Sequence, residues 1–453
     1  MEPFEYKKPP GFFQSTTAKM IMVGMLTLVL LIPLEYVKSL IEERSKRQSE
    51  VIVETNEKWG ESIYFYGPIL KIPYKTYTET VSVNEKTKEI LKQKATHIEY
   101  AYFFPDELRN ATTAKMAKPL KRSLYKSNVF KAQMDFTGSY TKPNFDINSI
   151  PDEDILWDKA TILIRTTDMK SIKSQVNLKL GTNNYRFEPG QNSQNDSVAS
   201  LETRTVSLGN LRNNEKLDFK FRIDYNGSKQ IMMAPIGKTT EAKMISDWHS
   251  PSFMGNYIPD EKNKQISDKG FEAQWRVLHL NRPFAQQSFE TLPDLKKYAF
   301  GVDFLIPVDE YQQNERASKY GFLVIGLTFL IFFLIQSISK ISIHIFQYSM
   351  IGLALIMFYT LLISITEHSS FSLAYIIAGS SVVALISLYS VSILKNRKFP
   401  AFIGISLTVL YTFIYVIIQL EDYALLVGSI GLFLILAAVM YFSRKIDWGT
   451  NNS

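Results

Sequence analysis

Six stretches of this chain are long and apolar enough to form helices that cross a hydrocarbon core of ~30 Å, which takes roughly 20 residues of helix. The first is the apolar run 20–34, preceded by Lys19 and followed by Glu35 and Lys38, inside a helix expected over 18–40. The other five crowd the end of the chain, at 320–338, 345–366, 371–394, 400–420 and 423–443, with short connections that make a compact five-helix bundle. A soluble enzyme is thereby excluded. The segment Leu34-Glu35-Tyr36-Val37-Lys38-Ser39 offers no small-x-small cleavage site, so the first helix reads as an uncut anchor rather than a signal peptide.

Orientation follows from the basic residues of short loops, which mark the cytoplasmic side. Lys340, the turn Lys395-Asn396-Arg397-Lys398 and the tail Arg444-Lys445 fall on one side, whereas Glu367-His368-Ser369-Ser370 and Glu421-Asp422 fall on the other. The tails 1–17 and 444–453 are therefore expected in the cytoplasm, and the segment 41–319 outside. Arg44, Lys46, Arg47, Arg316 and Lys319 flank the membrane on that outer side, but Glu42, Glu43, Asp309 and Glu315 accompany them. The flanks of a large translocated domain also count for less than short loops.

The exported segment starts helical, with residues 41–54 carrying the first helix on, until Trp59-Gly60 and Gly67-Pro68 break the period. Beyond that the pattern is strand-like. Residues 63–65, 69–74, 98–103, 161–165 and 218–225 are short runs rich in β-branched and aromatic side chains, bounded by turn formers. Gly181-Thr182-Asn183-Asn184 and Asn226-Gly227-Ser228 read as hairpin turns, and 190–197 as an exposed polar loop. The fold class expected is a helical polytopic membrane protein, six spans arranged one plus five, with a large inserted β-rich domain. Two packed antiparallel sheets would accommodate so many short strands, and a sandwich or two lobes are both compatible with them.

Few chemistries survive inspection. With no cysteine there is no disulfide, thiolate nucleophile or CxxC zinc site. The five histidines, His97, His249, His279, His344 and His368, show no HExxH or comparable metal spacing. Gly404-Ile405-Ser406-Leu407 and Gly428-Ser429-Ile430-Gly431 lie in apolar helices without a histidine to act as base. No phosphate-binding glycine loop stands between a strand and a helix, and the helix interiors lack the acidic or basic residue that an ion-coupled carrier places near the midplane. A net charge of +7 is small for this length and is not gathered into a long basic run, so it argues little for nucleic acid. No cofactor and no catalytic residue is expected.

Two segments remain as candidate interaction surfaces. Glu367 and His368 set a carboxylate beside an imidazole at the membrane surface, a pair suited to proton relay or metal contact, or simply a solvated cap on a turn. Trp248, His249, Ser250 and Phe253, within Ser246-Asp247-Trp248-His249-Ser250-Pro251-Ser252-Phe253, mix aromatic and polar groups as a ligand-facing loop does, and as a buried turn also does. The stretch 307–320, rich in Asp, Tyr, Gln, Arg and Lys, reads as a coupling of the domain to the bundle. Gly352 with Tyr359-Thr360 and, 52 positions on, Gly404 with Tyr411-Thr412 suggest a repeated hairpin or shared helix-packing residues.

The chain resembles the CreD family of bacterial inner-membrane proteins over nearly its whole length, from about Met20 to Trp448. The likeness is carried by Leu31-Ile32-Pro33-Leu34, Trp59-Gly60, Gly67-Pro68-Ile69-Leu70-Lys71-Ile72-Pro73-Tyr74 and the Trp248 segment. It continues through Gly270-Phe271-Glu272-Ala273-Gln274-Trp275, Leu280-Asn281-Arg282, Pro307-Val308-Asp309-Glu310-Tyr311-Gln312, Glu367-His368 and Leu420-Glu421-Asp422-Tyr423. Members often carry His-Pro where this chain has His344-Ile345, which implies a straighter start to the third helix. The resemblance implies a multi-pass protein of the bacterial inner membrane with a periplasmic domain, acting in cell-envelope integrity, envelope stress, a two-component regulon and colicin tolerance, with no established reaction. The partners expected are the lipid bilayer and an envelope protein or lipid. A carrier or flippase for an envelope lipid, and a periplasmic sensor that needs a separate signalling partner, are the alternatives. A polar cavity between the fourth and fifth helices would favour the carrier.

Overall fold

The computed structural model describes residues 16–83, 90–190, 198–213, 215–304, 310–339, 341–394, 398–420 and 423–444. Lys340, Lys395 to Arg397, Glu421-Asp422, Pro307 to Asp309, nearly all of the polar loop 190–197 and the outermost tails lie outside the described residues. The chain divides into two compact units, Met1–Glu50 with Val308–Ser453, and Val51–Pro307.

The first unit is helical. Helix α1 (Thr16–Trp59) starts in it and runs unbroken past Glu50, followed in the chain by a single turn of helix, α2 (Gly209–Arg212), that belongs to the other unit. Then come the polar α3 (Glu310–Lys319) and five apolar helices, α4 (Gly321–Ser339), α5 (Ile345–Thr366), α6 (Phe371–Ile393), α7 (Lys398–Gln419) and α8 (Ala424–Ser443). Among the described residues six helices, α1 and α4 to α8, have the length and composition to cross a membrane. At 19 to 23 residues, α4 to α8 match a hydrocarbon core at 1.5 Å rise per residue. α5 starts where its cap dictates: the His344 Nδ1 accepts from the Phe346 N–H at 3.2 Å, and the Gln347 Oε1 accepts from the His344 N–H at 2.9 Å. Apolar helices gain nothing by burying Leu against Leu in lipid, so small residues and polar side chains set their contacts. A Cβ on Gly352 would stand 2.2 Å from the Leu30 side chain, so α1 and α5 approach closely there. Inside the bundle the Tyr348 hydroxyl donates to the Gln336 Oε1 at 2.9 Å, and the Tyr375 hydroxyl donates to the Tyr411 carbonyl at 2.9 Å.

The second unit is β-rich with one continuous core. Its strands in chain order are β1 (Ile63–Val83), β2 (Ile90–Phe103), β3 (Glu107–Met116), β4 (Leu120–Arg122), β5 (Tyr125–Ser127), β6 (Phe130–Tyr140), β7 (Thr161–Thr166), β8 (Asn177–Leu180) and β9 (Asn183–Pro189). They continue with β10 (Ala199–Thr203), β11 (Leu217–Gly227), β12 (Gln230–Met233), β13 (Thr239–Ser246), β14 (Ser252–Gly255), β15 (Gln265–Ser267), β16 (Gly270–Leu278), β17 (Gln287–Phe289) and β18 (Phe300–Asp303). One hydrogen-bonded path runs β14-β18-β12-β1-β7-β10-β9-β8-β11-β6-β3-β13-β16-β15, with β2 and β17 branching from β1 and β4-β5 forming a separate hairpin. Within this path β9 pairs with β10 at one end and with β8 along the rest, which turns the path back over itself. The two halves then face each other as a sandwich. The Phe65 ring of β1 lies 4.2 Å from Phe136 of β6, Phe136 lies 4.8 Å from Phe221 of β11, and Trp275 of β16 lies 5.5 Å from Phe300 of β18. β3 and β11 alternate buried and exposed residues, as strands with one face in the core and one in solvent must.

The stretches 63–65, 69–74, 98–103, 161–165 and 218–225 all lie in strands, and Gly181-Thr182 turns β8 into β9. Two expectations change. Asn226-Gly227-Ser228 is not a hairpin turn, because β11 pairs with β6 and β8 whereas β12 pairs with β1 and β18, so the segment crosses from one half of the sandwich to the other. Gly67-Pro68 does not end a strand but forms a bulge within β1, where the register to β7 shifts between Tyr66 and Ile69. Gly60, at φ +143°, does end α1, and a Cβ there would stand 2.3 Å from the Asn226 carbonyl.

Replacing Phe136, fully buried between Phe65 and Phe221, by Ala should cost about 3–5 kcal/mol. The measurement is denaturant unfolding followed by tryptophan fluorescence. An unchanged midpoint would show that the two halves do not depend on this contact.

Candidate functional site

Trp248 sits directly after β13 and is drawn into the core by its own turn. It is 9% exposed, its backbone N–H donates to the Ser246 Oγ at 3.2 Å, and its indole Nε1 donates to the Ser250 carbonyl at 2.9 Å. Phe253, on β14, packs edge-on to Phe271 at 6.0 Å and to Trp275 at 5.9 Å. His249 is exposed between them and Ser250 is half-buried. The aromatic members of this segment therefore hold the turn, and His249 and Asp247 are what it shows to solvent. The Asp247 Oδ1 also accepts from the Met116 N–H at 2.8 Å, so the turn is fastened to the end of β3.

Glu367 closes α5 and His368 follows it, exposed. The Glu367 Oε1 lies 3.6 Å from the Arg44 Nη1, with the carboxylate the more buried of the two. This ion pair brings the charged portion of α1 to the α5–α6 turn, so both stand at the same end of the helical unit. The pair gives Glu367 a partner that nothing in the sequence marks, because Arg44 and Glu367 are far apart in the chain. Among the described residues no group of three or more His, Cys, Asp or Glu stands close enough to hold a metal ion.

Arg282, from the Leu280-Asn281-Arg282 motif, is 6% exposed. Its guanidinium lies 4.3 Å over the Phe284 ring and donates to the carbonyls of Phe284 and Ala285 at 3.1 and 3.3 Å. Burial lowers its pKa to about 10. The side chain serves as an internal tie for its loop, since Gln286, which it also contacts, donates to the Phe104 and Pro105 carbonyls.

Concavities with the size of ligand sites occur in both units. In the β-rich unit a cleft of about 630 Å³ has Phe145 and Trp157 in its floor and Lys142, Asp152 and Arg212 on its rim. The Asp152 Oδ1 accepts from the Trp157 Nε1 at 2.9 Å and its other oxygen lies 3.6 Å from Arg212. In the helical unit a groove of about 760 Å³ runs between α6 and α7, lined by Val383, Leu388, Ile405 and Val409 with Ser387 and Thr408. The Thr408 hydroxyl donates to the Gly404 carbonyl. Among the described residues the lining of this groove is mostly apolar. Tyr359 and Tyr411, from the two similar hairpins, meet at one ring, Phe358, at 4.8 and 4.7 Å.

A family model described as "Inner membrane protein CreD" matches residues 15–449 of the chain. The chain is 27% identical over 455 residues to Inner membrane protein CreD of Escherichia coli (strain K12), an alignment that covers 97% of this chain and 94% of that protein. Among solved structures, a Legionella pneumophila protein provisionally named a nutrient binding protein aligns with 50% of this chain and 77% of its own, at 9% identity and a TM-score of 0.23. So low a score says nothing about function.

Reversing one charge of the Arg44–Glu367 pair, as Glu367→Arg, should lower stability by about 1 kcal/mol, the scale of a partly exposed ion pair. The double exchange Arg44→Glu with Glu367→Arg should recover most of it in a thermal unfolding cycle. Equal losses in single and double variants would show that the two side chains do not interact.

Proposed function

The chain belongs to the CreD family of inner membrane proteins, whose model spans residues 15–449, and from that premise we propose that it is a non-enzymatic protein of cell-envelope integrity and the envelope stress response. In this reading the β-rich unit stands in the periplasm, both termini lie in the cytoplasm, and the unit works by contact with an envelope protein or lipid. The observation that carries it is the near-complete family match joined to a fold in which apolar helices bracket a separately cored β sandwich. The basic Lys395-Asn396-Arg397-Lys398 turn and Arg444-Lys445 tail support the orientation. His249 and Asp247, exposed on a turn held by Trp248, are the contact residues we assign within the Trp248 segment, and His368 beside the Glu367 ion pair is the second contact point.

Cells lacking the protein should become several-fold more sensitive to detergents and cell-wall antibiotics, with the full chain restoring resistance and the helical unit alone failing to do so. A photo-crosslinker at His249 should capture a discrete envelope component. Unchanged sensitivity on loss, or rescue by the helical unit alone, would overturn the reading.

A further inference from the structure

Residues 115–131 carry Lys115, Lys118, Lys121, Arg122, Lys126 and Lys131 and no acidic residue. The fold concentrates these charges further. Lys115 of β3 lies directly opposite Lys131 of β6, and Lys121 of β4 lies directly opposite Lys126 of β5. Like charges facing each other across an antiparallel pair are destabilising. Elsewhere on the same outward face several basic side chains meet a carboxylate: the Arg222 Nε donates to the Asp135 Oδ1 at 2.7 Å, Arg109 lies 3.4 Å from Glu241, and Lys243 lies 2.6 Å from Glu272, although Lys220 of β11 also lies opposite a lysine, Lys179 of β8. Among the described residues Arg122 alone of the six has such a partner, Glu54 of α1, and no carboxylate lies within 4.0 Å of the four opposed lysines.

Lys115, Lys118 and Lys131, together with Lys173, line a cleft of about 980 Å³ beside Trp59. Asp224 stands on its wall, and the Oδ1 of Asp247 is engaged by the N–H of Met116, another lining residue. The hairpin β4-β5 continues the basic surface and is fixed to α1 by Ser127, which donates to the Asn56 Oδ1 at 2.6 Å. From Lys115 to Lys121 the chain spans at most ~20 Å at ~3.3 Å per residue, so a linear ligand of that length reaches both lysine pairs.

We propose that this cleft and hairpin form a binding track for a linear polyanion, a chain of repeated phosphate or carboxylate groups. Its charges would replace the missing acidic partners, and its binding would release counterions. A flat bilayer does not enter a concave cleft. A single-stranded nucleic acid asks for exposed rings on which bases stack, whereas Tyr125 is buried and the Trp59 indole is turned to the Phe130 carbonyl.

The test uses the full chain in phosphatidylcholine nanodiscs with fluorescent inorganic polyphosphate as the probe. Wild type should bind with an affinity that falls steeply with salt. The variant Lys115→Gln, Lys121→Gln, Lys126→Gln, Lys131→Gln should bind at least tenfold more weakly and lose about three units of the log–log salt slope. A control of equal charge loss, Lys159→Gln, Lys238→Gln, Lys262→Gln, Lys269→Gln, should bind nearly as wild type. Because the opposed lysines repel, the first variant should unfold at the same or a higher temperature than wild type. Equal weakening in the control, unchanged binding in the variant, or a lower unfolding temperature accompanying lost binding would overturn the proposal. So would vesicles rich in phosphatidylglycerol, or duplex DNA, outcompeting polyphosphate at equal charge.

Discussion

Transfer of apolar helices from water to hydrocarbon is the constraint on which the rest of this structure depends. A segment in that medium must satisfy its backbone internally, and α4 to α8 do so as uninterrupted helices. Having done so, they have little left to gain from burying more hydrocarbon against one another. Their specific contacts therefore fall to close approaches such as Gly352 against Leu30, and to a few polar pairs such as Tyr348 with Gln336. The Arg44–Glu367 ion pair acts at the end of the same unit, where the chain leaves the apolar medium and charge becomes affordable.

The β-rich unit solves a different problem, since its strands lie in water and must hide one face. Rolling one sheet path back through β9 brings the inward rings of β1, β6 and β11 together as a single core. The outward face is then free to carry charge. Part of it is matched, pair by pair, while lysine faces lysine between β3 and β6, between β4 and β5, and between β8 and β11.

What could be read in the sequence depended on how each element makes its burial. The apolar spans and strands such as 69–74 and 161–165 bury Ile, Leu and Tyr, and their periodicity is plain. β3 turns Leu108, Asn110, Thr112 and Ala114 inward, mostly small or polar groups, so its burial leaves almost no hydrophobic signal. The crossing at Asn226-Gly227-Ser228 uses the residues a tight turn would use, and only pairing with β1 and β18 tells the two apart. Trp248 and Phe253 stood out as residues, but their partners, the Ser250 carbonyl and the Trp275 ring, follow from the fold. The stretch 115–131 holds six cations without an acid, yet they are spaced too widely to read as a basic run in the sequence; register gathers them by setting lysine opposite lysine.

The proposed topology has six crossings that leave the inserted β-rich unit on the face opposite both tails. The chain contains no cysteine, so single cysteines can be read without background. Thr182→Cys, in the exposed β8–β9 turn, and Ser370→Cys, beside the α5–α6 turn, should react with a membrane-impermeant thiol reagent in intact spheroplasts, and Arg444→Cys only after lysis. Protection of Thr182→Cys until lysis, with Arg444→Cys reactive in intact cells, would contradict the account.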